Sequence, residues 1–194
     1  MRSSPFTWIN EQAKVCVFIA LLLFTLALTL ALSIQGRRLR TPAAPQGIIS
    51  FELAGTRAAA DRIIDSWSPP QGDVRGDAFL NLGVDYLYLF LYPLTISLAC
   101  HLSARRDARF ARRTWIVGAI LSWVELAATP FDATENYALI KVLKSSSGAF
   151  WPALAKWCAI LKFGLIFIGA GYVIAWILLE LVRKLVREEM STAQ

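Results

Sequence analysis

The sequence is poor in the residues that build most polar active sites. It has one His among 194 residues, too little material for a His-based metal centre or catalytic cluster. Its three cysteines, Cys16, Cys100 and Cys158, all fall in or beside apolar runs, and no C-x-x-C occurs. They read as small apolar packing residues rather than as a disulfide framework or a zinc site. No nucleophile–base pair or phosphate loop is visible, no cofactor motif is present, and no internal repeat is found. No cofactor is expected. Charged residues are only 18% of the chain. The net charge of +6 is not a nucleic-acid signature, because the Lys and Arg residues sit at the ends of apolar runs. Long period-two alternation is also missing, which argues against a transmembrane barrel.

What the chain has instead is apolar length. Hydrophobic residues make up 56% of it, too many for an ordinary soluble domain. The uncharged run Val15 to Gly36 is long enough to cross the hydrocarbon, for which a helix needs about 20 residues. A signal peptide is the competing reading, since Lys14 precedes the run. However, a secretory apolar region is shorter, about 7–15 residues, and no small-x-small cleavage site closes this one. Three further runs follow: Phe79 to Ser103, interrupted only by Asp85; Thr114 to Phe131, interrupted only by Glu125; and Phe163 to Leu179, preceded by Lys162. The expected fold is all-α, a single integral-membrane four-helix bundle over 1–194. Its helices are expected near 15–36, 79–103, 114–140 and 153–183, with an external segment at 37–77.

Orientation rests on the short link HLSARRDARFARRT, which holds five Arg and one Asp. Such density marks a cytoplasmic loop, although basic residues counted over the whole chain nearly balance between the two sides. Both termini are then expected to be cytoplasmic. In the external segment, Ala60, Ile63, Ile64 and Trp67 recur at i, i+3, i+4 and i+7, with Arg57, Asp61, Arg62 and Asp65 between them. That pattern predicts an amphipathic helix of about three turns. It either lies on the outer leaflet with Trp67 at headgroup depth or roofs the bundle, and SPPQGD stops it. Two small-residue stripes, Thr25/Thr29/Ser33 and Gly164/Gly171/Ala175, suit close helix packing. His101 is expected to be a boundary residue.

The intramembrane charges are the candidate site. Counted from the nearest cytoplasmic Arg at 1.5 Å per residue, Asp85, Asp132 and Lys162 all lie about 30 Å away, in one layer at the far edge of the hydrocarbon. Glu135 and Asn136 are one turn beyond, and Glu52 in the external segment is placed to join them. Asn81, Asp85, Tyr88 and Tyr92 share one helix face at i, i+4, i+7 and i+11; Glu125, Asp132 and Asn136 share another at i, i+7 and i+11. Two polar faces opening outward suggest a pocket. Glu125 lies deeper, about 18 Å above Arg113. A charge there costs at least about 2.5 kcal/mol on insertion scales, so Glu125 is expected to be neutral, paired or facing a wet cavity. The competing reading is structural: edge lysines such as Lys156 and Lys162 snorkel to water, and the acids merely partner them. No spacing matches a dedicated metal site.

The segment FELAGT (Phe51 to Thr56), together with DATENYAL (Asp132 to Leu139), resembles a group of uncharacterised bacterial four-span inner-membrane proteins. These carry an external F-E-L-A-G segment and a D-x-x-E-N signature after the third helix. The resemblance implies the four-span layout and that Glu52, Asp132, Glu135 and Asn136 belong together. It implies no activity. The function expected first is non-catalytic: binding lipid, or serving as an accessory subunit of a membrane complex. The expected partners are membrane lipids, other membrane subunits or a second copy, and not nucleic acid. Two alternatives use Glu125 and Asp132/Glu135: a small membrane enzyme on a lipid-like substrate, or a proton- or cation-coupled carrier, which four helices without an inverted repeat do not favour. The topology is directly testable. Reporter fusions after Ser191 and within Arg105–Arg113 are expected to read cytoplasm, and fusions near Ser66 or Ser146 the outside. A periplasmic signal from the Arg-rich loop would reverse the orientation.

Overall fold

The computed structural model describes residues 4–68, 74–105, 111–145 and 148–192. The prolines of the SPPQGD stop and residues 106–110 of the Arg-rich link fall outside these residues. Seven α-helices are present among the described residues: α1 (Glu11–Gln35), α2 (Ile48–Glu52), α3 (Arg57–Ser66), α4 (Arg75–Arg105), α5 (Ala111–Val124), α6 (Ala128–Leu143) and α7 (Phe150–Thr192). Four stretches are long and apolar enough to cross a membrane: Glu11–Leu39, Arg75–Ala104, Ile116–Leu143 and Phe150–Ser191. Each is longer than its apolar run, because polar first and last turns continue the helix. Asn10 caps α1 by accepting from the Gln12 amide at 3.2 Å. At 43 residues, α7 is about 65 Å long, roughly twice a hydrocarbon thickness.

The third span is not one continuous helix. A 3-10 turn at Glu125–Ala127 separates α5 from α6. Pro130 explains the break, since it has no N–H for the Leu126 carbonyl. Pro93 lies inside the continuous α4 and leaves the Leu89 carbonyl without its usual donor. Thr129 Oγ1 donates to that carbonyl at 3.0 Å, so α6 repairs the defect in α4. Ser97 Oγ likewise donates to the Ser122 carbonyl beside the 3-10 turn. Bonds of this kind hold the central helices together where backbone groups would otherwise be orphaned in an apolar setting.

The helices pack around α4, which touches α1, α5, α6 and α7. The stripe expected on α1 is used: Thr25 Oγ1 lies 2.8 Å from Thr95 Oγ1, and Thr29 Oγ1 lies 3.0 Å from the Tyr88 hydroxyl. The stripe expected on α7 is not. A side chain at Gly164 or Gly171 would meet open space, and Ala175 is exposed. The close approach on α7 is at Gly169 instead, because small-residue spacing does not say which way a lone helix is turned. At the Arg-rich end, the residues before α1 fold back on α4. His101 is buried there, with Nδ1 2.6 Å from Ser4 Oγ and Phe6 against its ring.

The main apolar core lies at the opposite end, where residues 37–68 fold down as a roof. Its Phe51, Ile63, Ile64 and Trp67 pack on Leu82 of α4, Leu139 and Val142 of α6 and Ala155 of α7. Thr56 caps α3 through the Ala59 amide, and Arg57 pairs with Asp61 one turn on, at 2.8 Å. The apolar stripe of α3 therefore faces protein. The reading that placed Trp67 at headgroup depth on the outer leaflet is corrected: Trp67 is fully buried, its ring centroid 5.3 Å from that of Phe51, and its Nε1 donates to the Leu39 carbonyl at 2.9 Å. The stripe alone could not distinguish lipid from protein as its apolar partner. A short helix, α2, was also not expected, since its five residues are too few for any periodicity.

Trp67→Ala is expected to cost about 3–5 kcal/mol of stability as a large core truncation. Trp67→Phe is expected to cost about 1–3 kcal/mol, because the buried Leu39 carbonyl loses its donor. Denaturant unfolding of the full chain in detergent measures both. A headgroup anchor would leave the Phe variant unchanged.

Candidate functional site

Beneath the roof, four elements deliver charge to one place. Lys162 of α7 is the hub. Its Nζ lies 2.8 Å from Asp132 Oδ1, 2.9 Å from Glu135 Oε2 and 3.6 Å from Glu52 Oε2. Asp132 and Glu135 are one turn apart on α6, so both reach the same ammonium. Glu52 is the last residue of α2 and the second of the FELAG segment. The second Asp132 oxygen, Oδ2, accepts from the Tyr92 hydroxyl at 2.9 Å. Asn136, one turn beyond Asp132, donates from Nδ2 to Asp85 Oδ2 at 2.7 Å. Asn81 donates to Gln35 Oε1 at 2.6 Å, tying α4 to the end of α1. Asp132, Glu135 and Asn136 are almost completely buried, whereas Asp85 is only partly covered.

Snorkelling does not describe Lys162. Lys162 is 5% exposed and turned inward. The stem of Lys156 runs directly under Gly55, whose φ of 69° is a left-handed conformation that leaves no room there for a side chain.

The cluster is unbalanced in sign, with Glu52, Asp85, Asp132 and Glu135 around one ammonium. Burying uncompensated charge costs several kcal/mol per ion. Burial pushes the Glu52 carboxyl above the ordinary value of 4.5, and Lys162 opposes that rise. Neither oxygen of Glu135 nor Oε2 of Glu52 has a hydrogen-bond partner in good geometry, so Lys162 holds them mainly by charge. Among the described residues, no three His, Cys, Asp or Glu side chains are disposed to hold a metal ion.

Beside the cluster is a cavity of about 420 Å³. Of the ten residues expected at a polar pocket, seven line it: Asn81, Asp85, Tyr88 and Tyr92 from α4, Asp132 from α6, Lys162 from α7 and Glu52 from α2. Glu135 and Asn136 stand behind that wall. Its other wall is apolar and comes from α1 and α7, with Leu32 facing Phe163, Ile166 and Phe167. Both of these helices lean on α4 and barely meet each other, so the cavity opens sideways between them. Arg40 and Gln46 stand at the rim.

No family model matches the chain, and no curated protein or solved structure matches it. The site is therefore read from its own chemistry.

Glu125 departs from the expected pocket. It faces the same α4–α7 seam as Asp132 but lies two turns deeper, outside the cavity. It is fully buried against Gly169, with Ile96 and Cys100 nearby, and neither carboxyl oxygen has a hydrogen-bond partner. A Cβ at Gly169 would overlap the Glu125 carboxyl, so that glycine is what admits it. Fully buried Ala128 lies between Glu125 and the upper cluster in the chain. Helical spacing aligned Glu125 with Asp132 correctly in azimuth but says nothing of what fills the two turns between them. Spacing also missed Gln35, Thr129 and Gly169, whose roles depend wholly on partners distant in sequence.

Lys162→Met alone is expected to destabilise by about 3–5 kcal/mol, because it strands buried acids. Adding Asp132→Asn is expected to recover part of that loss, with a coupling of about 1 kcal/mol or more in unfolding measurements on the full chain. The cycle with Asp85→Asn is expected to couple less, since Asp85 pairs with Asn136. Additivity within about 0.3 kcal/mol in both cycles would show the cluster to be energetically inert.

Proposed function

We propose that this chain is a non-catalytic, multi-pass protein of the bacterial inner membrane, with cytoplasmic termini, that binds a membrane lipid or a similar amphiphile in its roofed cavity. One observation carries the reading: a 420 Å³ cavity has an acidic, hydrogen-bonding wall and an apolar wall, and opens between two helices that barely meet. Ligand sites are usually about 300–1,000 Å³, mostly apolar with a few placed polar groups. A ligand arriving along the membrane plane would enter between α1 and α7 and leave its chain against Leu32, Ile166 and Phe167. The apolar outer faces of α1 and α7, exposed along most of their length, suit acyl chains or another membrane helix.

The catalytic alternative is less well supported by the same geometry. Asp132 and Glu135, its acid and base, are both engaged by Lys162 at under 3 Å. Glu125 lies outside the cavity wall and would not touch a ligand held there. A carrier reading would need a polar route joining Glu125 to the cluster, and the apolar side chains of Ile96 and Ala128 occupy that stretch.

Native mass spectrometry of the full chain, released from mild detergent, tests the proposal. The wild type is expected to retain about one lipid per chain. Ile166→Trp, which fills the cavity mouth, is expected to lose it, whereas Ile177→Trp on the exposed face of α7 is expected to keep it. Equal retention by all three would overturn the reading.

A further inference from the structure

Resting on the lipid-binding reading, we infer that the cavity selects an amphiphile by a protonated amine, with the ammonium group seated on Asp85 in the wall that also carries Glu52, and the apolar chain leaving between α1 and α7.

The argument starts from which charges are already used. Lys162 is committed to Asp132 and Glu135 at 2.8 and 2.9 Å. Asp132 has its second oxygen filled by Tyr92. Asp85 is different: only Asn136 reaches it, and no basic side chain among the described residues forms an ion pair with it. It is also the least covered carboxylate of the four, and it borders the cavity. Glu52 stands in the same wall with its side chain only 9% exposed. Its Oε2 is sealed within the protein 3.6 Å from Lys162, so Glu52 adds negative charge to the wall rather than an open acceptor. The cavity therefore presents one accessible acid, Asp85, with no basic partner, in a wall to which Glu52 adds negative charge. That calls for a ligand group with several donors and a positive charge, which a primary ammonium supplies with three N–H bonds.

The rest of the wall suits the same group. The Tyr88 and Tyr92 rings, 5.1 Å apart, lie along the helix face that carries Asp85. Aromatic faces attract ammonium ions, most strongly where water is excluded. An anionic headgroup would meet three acids with only the committed Lys162 inside, and a neutral one would leave Asp85 without a counter-charge. A small inorganic cation would make no use of Leu32, Ile166 and Phe167. A molecule with an amine at one end and a hydrocarbon chain at the other uses both walls. Arg40 at the rim is placed for the phosphate that follows the amine in an aminophospholipid, whereas a single-chain amine would not need it.

The test uses the full chain in detergent and two kinds of probe. In thermal-shift titrations, dodecylamine is expected to stabilise the wild type, with dodecanol and dodecyl sulfate at least roughly tenfold weaker, the scale of one charge-assisted hydrogen bond. Asp85→Asn is expected to abolish that preference while Asp85→Glu retains it. Should the Asn variant not fold, the wild-type comparison of amine with alcohol decides by itself. Native mass spectrometry after incubation with equal phosphatidylethanolamine, phosphatidylcholine and phosphatidylglycerol identifies the source of the amine. Enrichment of phosphatidylethanolamine indicates a lipid headgroup, whereas dodecylamine binding without it indicates a free long-chain amine; both support the inference. Equal binding of amine and alcohol, or preferential retention of phosphatidylglycerol, overturns it and leaves the lipid-binding reading standing. Retention of no lipid and no response to any probe would remove both.

Discussion

A single ammonium organises the roof end of this protein. Lys162 is buried, and the carboxylates around it come from α6 and α2, segments about 30 and 110 residues away in the chain. An ammonium in a low-dielectric site is tolerable only when acids face it at contact distance, and the acids are tolerable only while the ammonium stays. The position of α7 against α6, and of the roof against both, is tied to that mutual requirement. Apolar packing of the roof residues on Leu82, Leu139 and Val142 supplies the cohesion, and the ion cluster supplies the register.

The roof serves two purposes through one segment. Phe51 and Trp67 close the apolar core, and Glu52, next to Phe51 in the chain, turns the other way to face Lys162. A short helix makes this possible, since neighbouring helical residues point about 100° apart. Gly47, at φ 64°, admits the sharp entry into that helix, and Gly55, at φ 69°, lets Lys156 pass beneath its exit. Below the roof, Pro93 and Pro130 each remove a backbone donor, and the Thr129 hydroxyl takes up the Leu89 carbonyl that Pro93 frees. In the proposed membrane setting this matters more than in water, because lipid offers no substitute donor.

The sideways opening follows from α1. That helix packs on α4 through Thr25 and Thr29 and leaves most of its surface uncovered. Were α1 to close on α7, the cavity would be sealed and its acids would be wholly buried. The gap keeps Asp85 accessible, and accessibility separates it from Asp132 and Glu135, which the protein consumes in its own ion cluster.

Composition and period were enough to establish the helical class, four long apolar helices and the rough level of the charged layer, because helix rise is constant and apolar length is a local property. The polar stripe of α4 was legible for the same reason, and the counted depth put Lys162 level with both Asp132 and Asp85. What a helix faces is not local. The sequence could not show that Trp67 lies in a protein core, that Gly169 rather than Gly164 or Gly171 makes the close approach, or that Glu125 is walled off from the cavity. Nor could it show that Asp85 is held by Asn136 while Asp132 and Glu135 share the lysine. Those outcomes depend on helix rotation and on which long-range partner fills each space, and only the packed tertiary structure decides them.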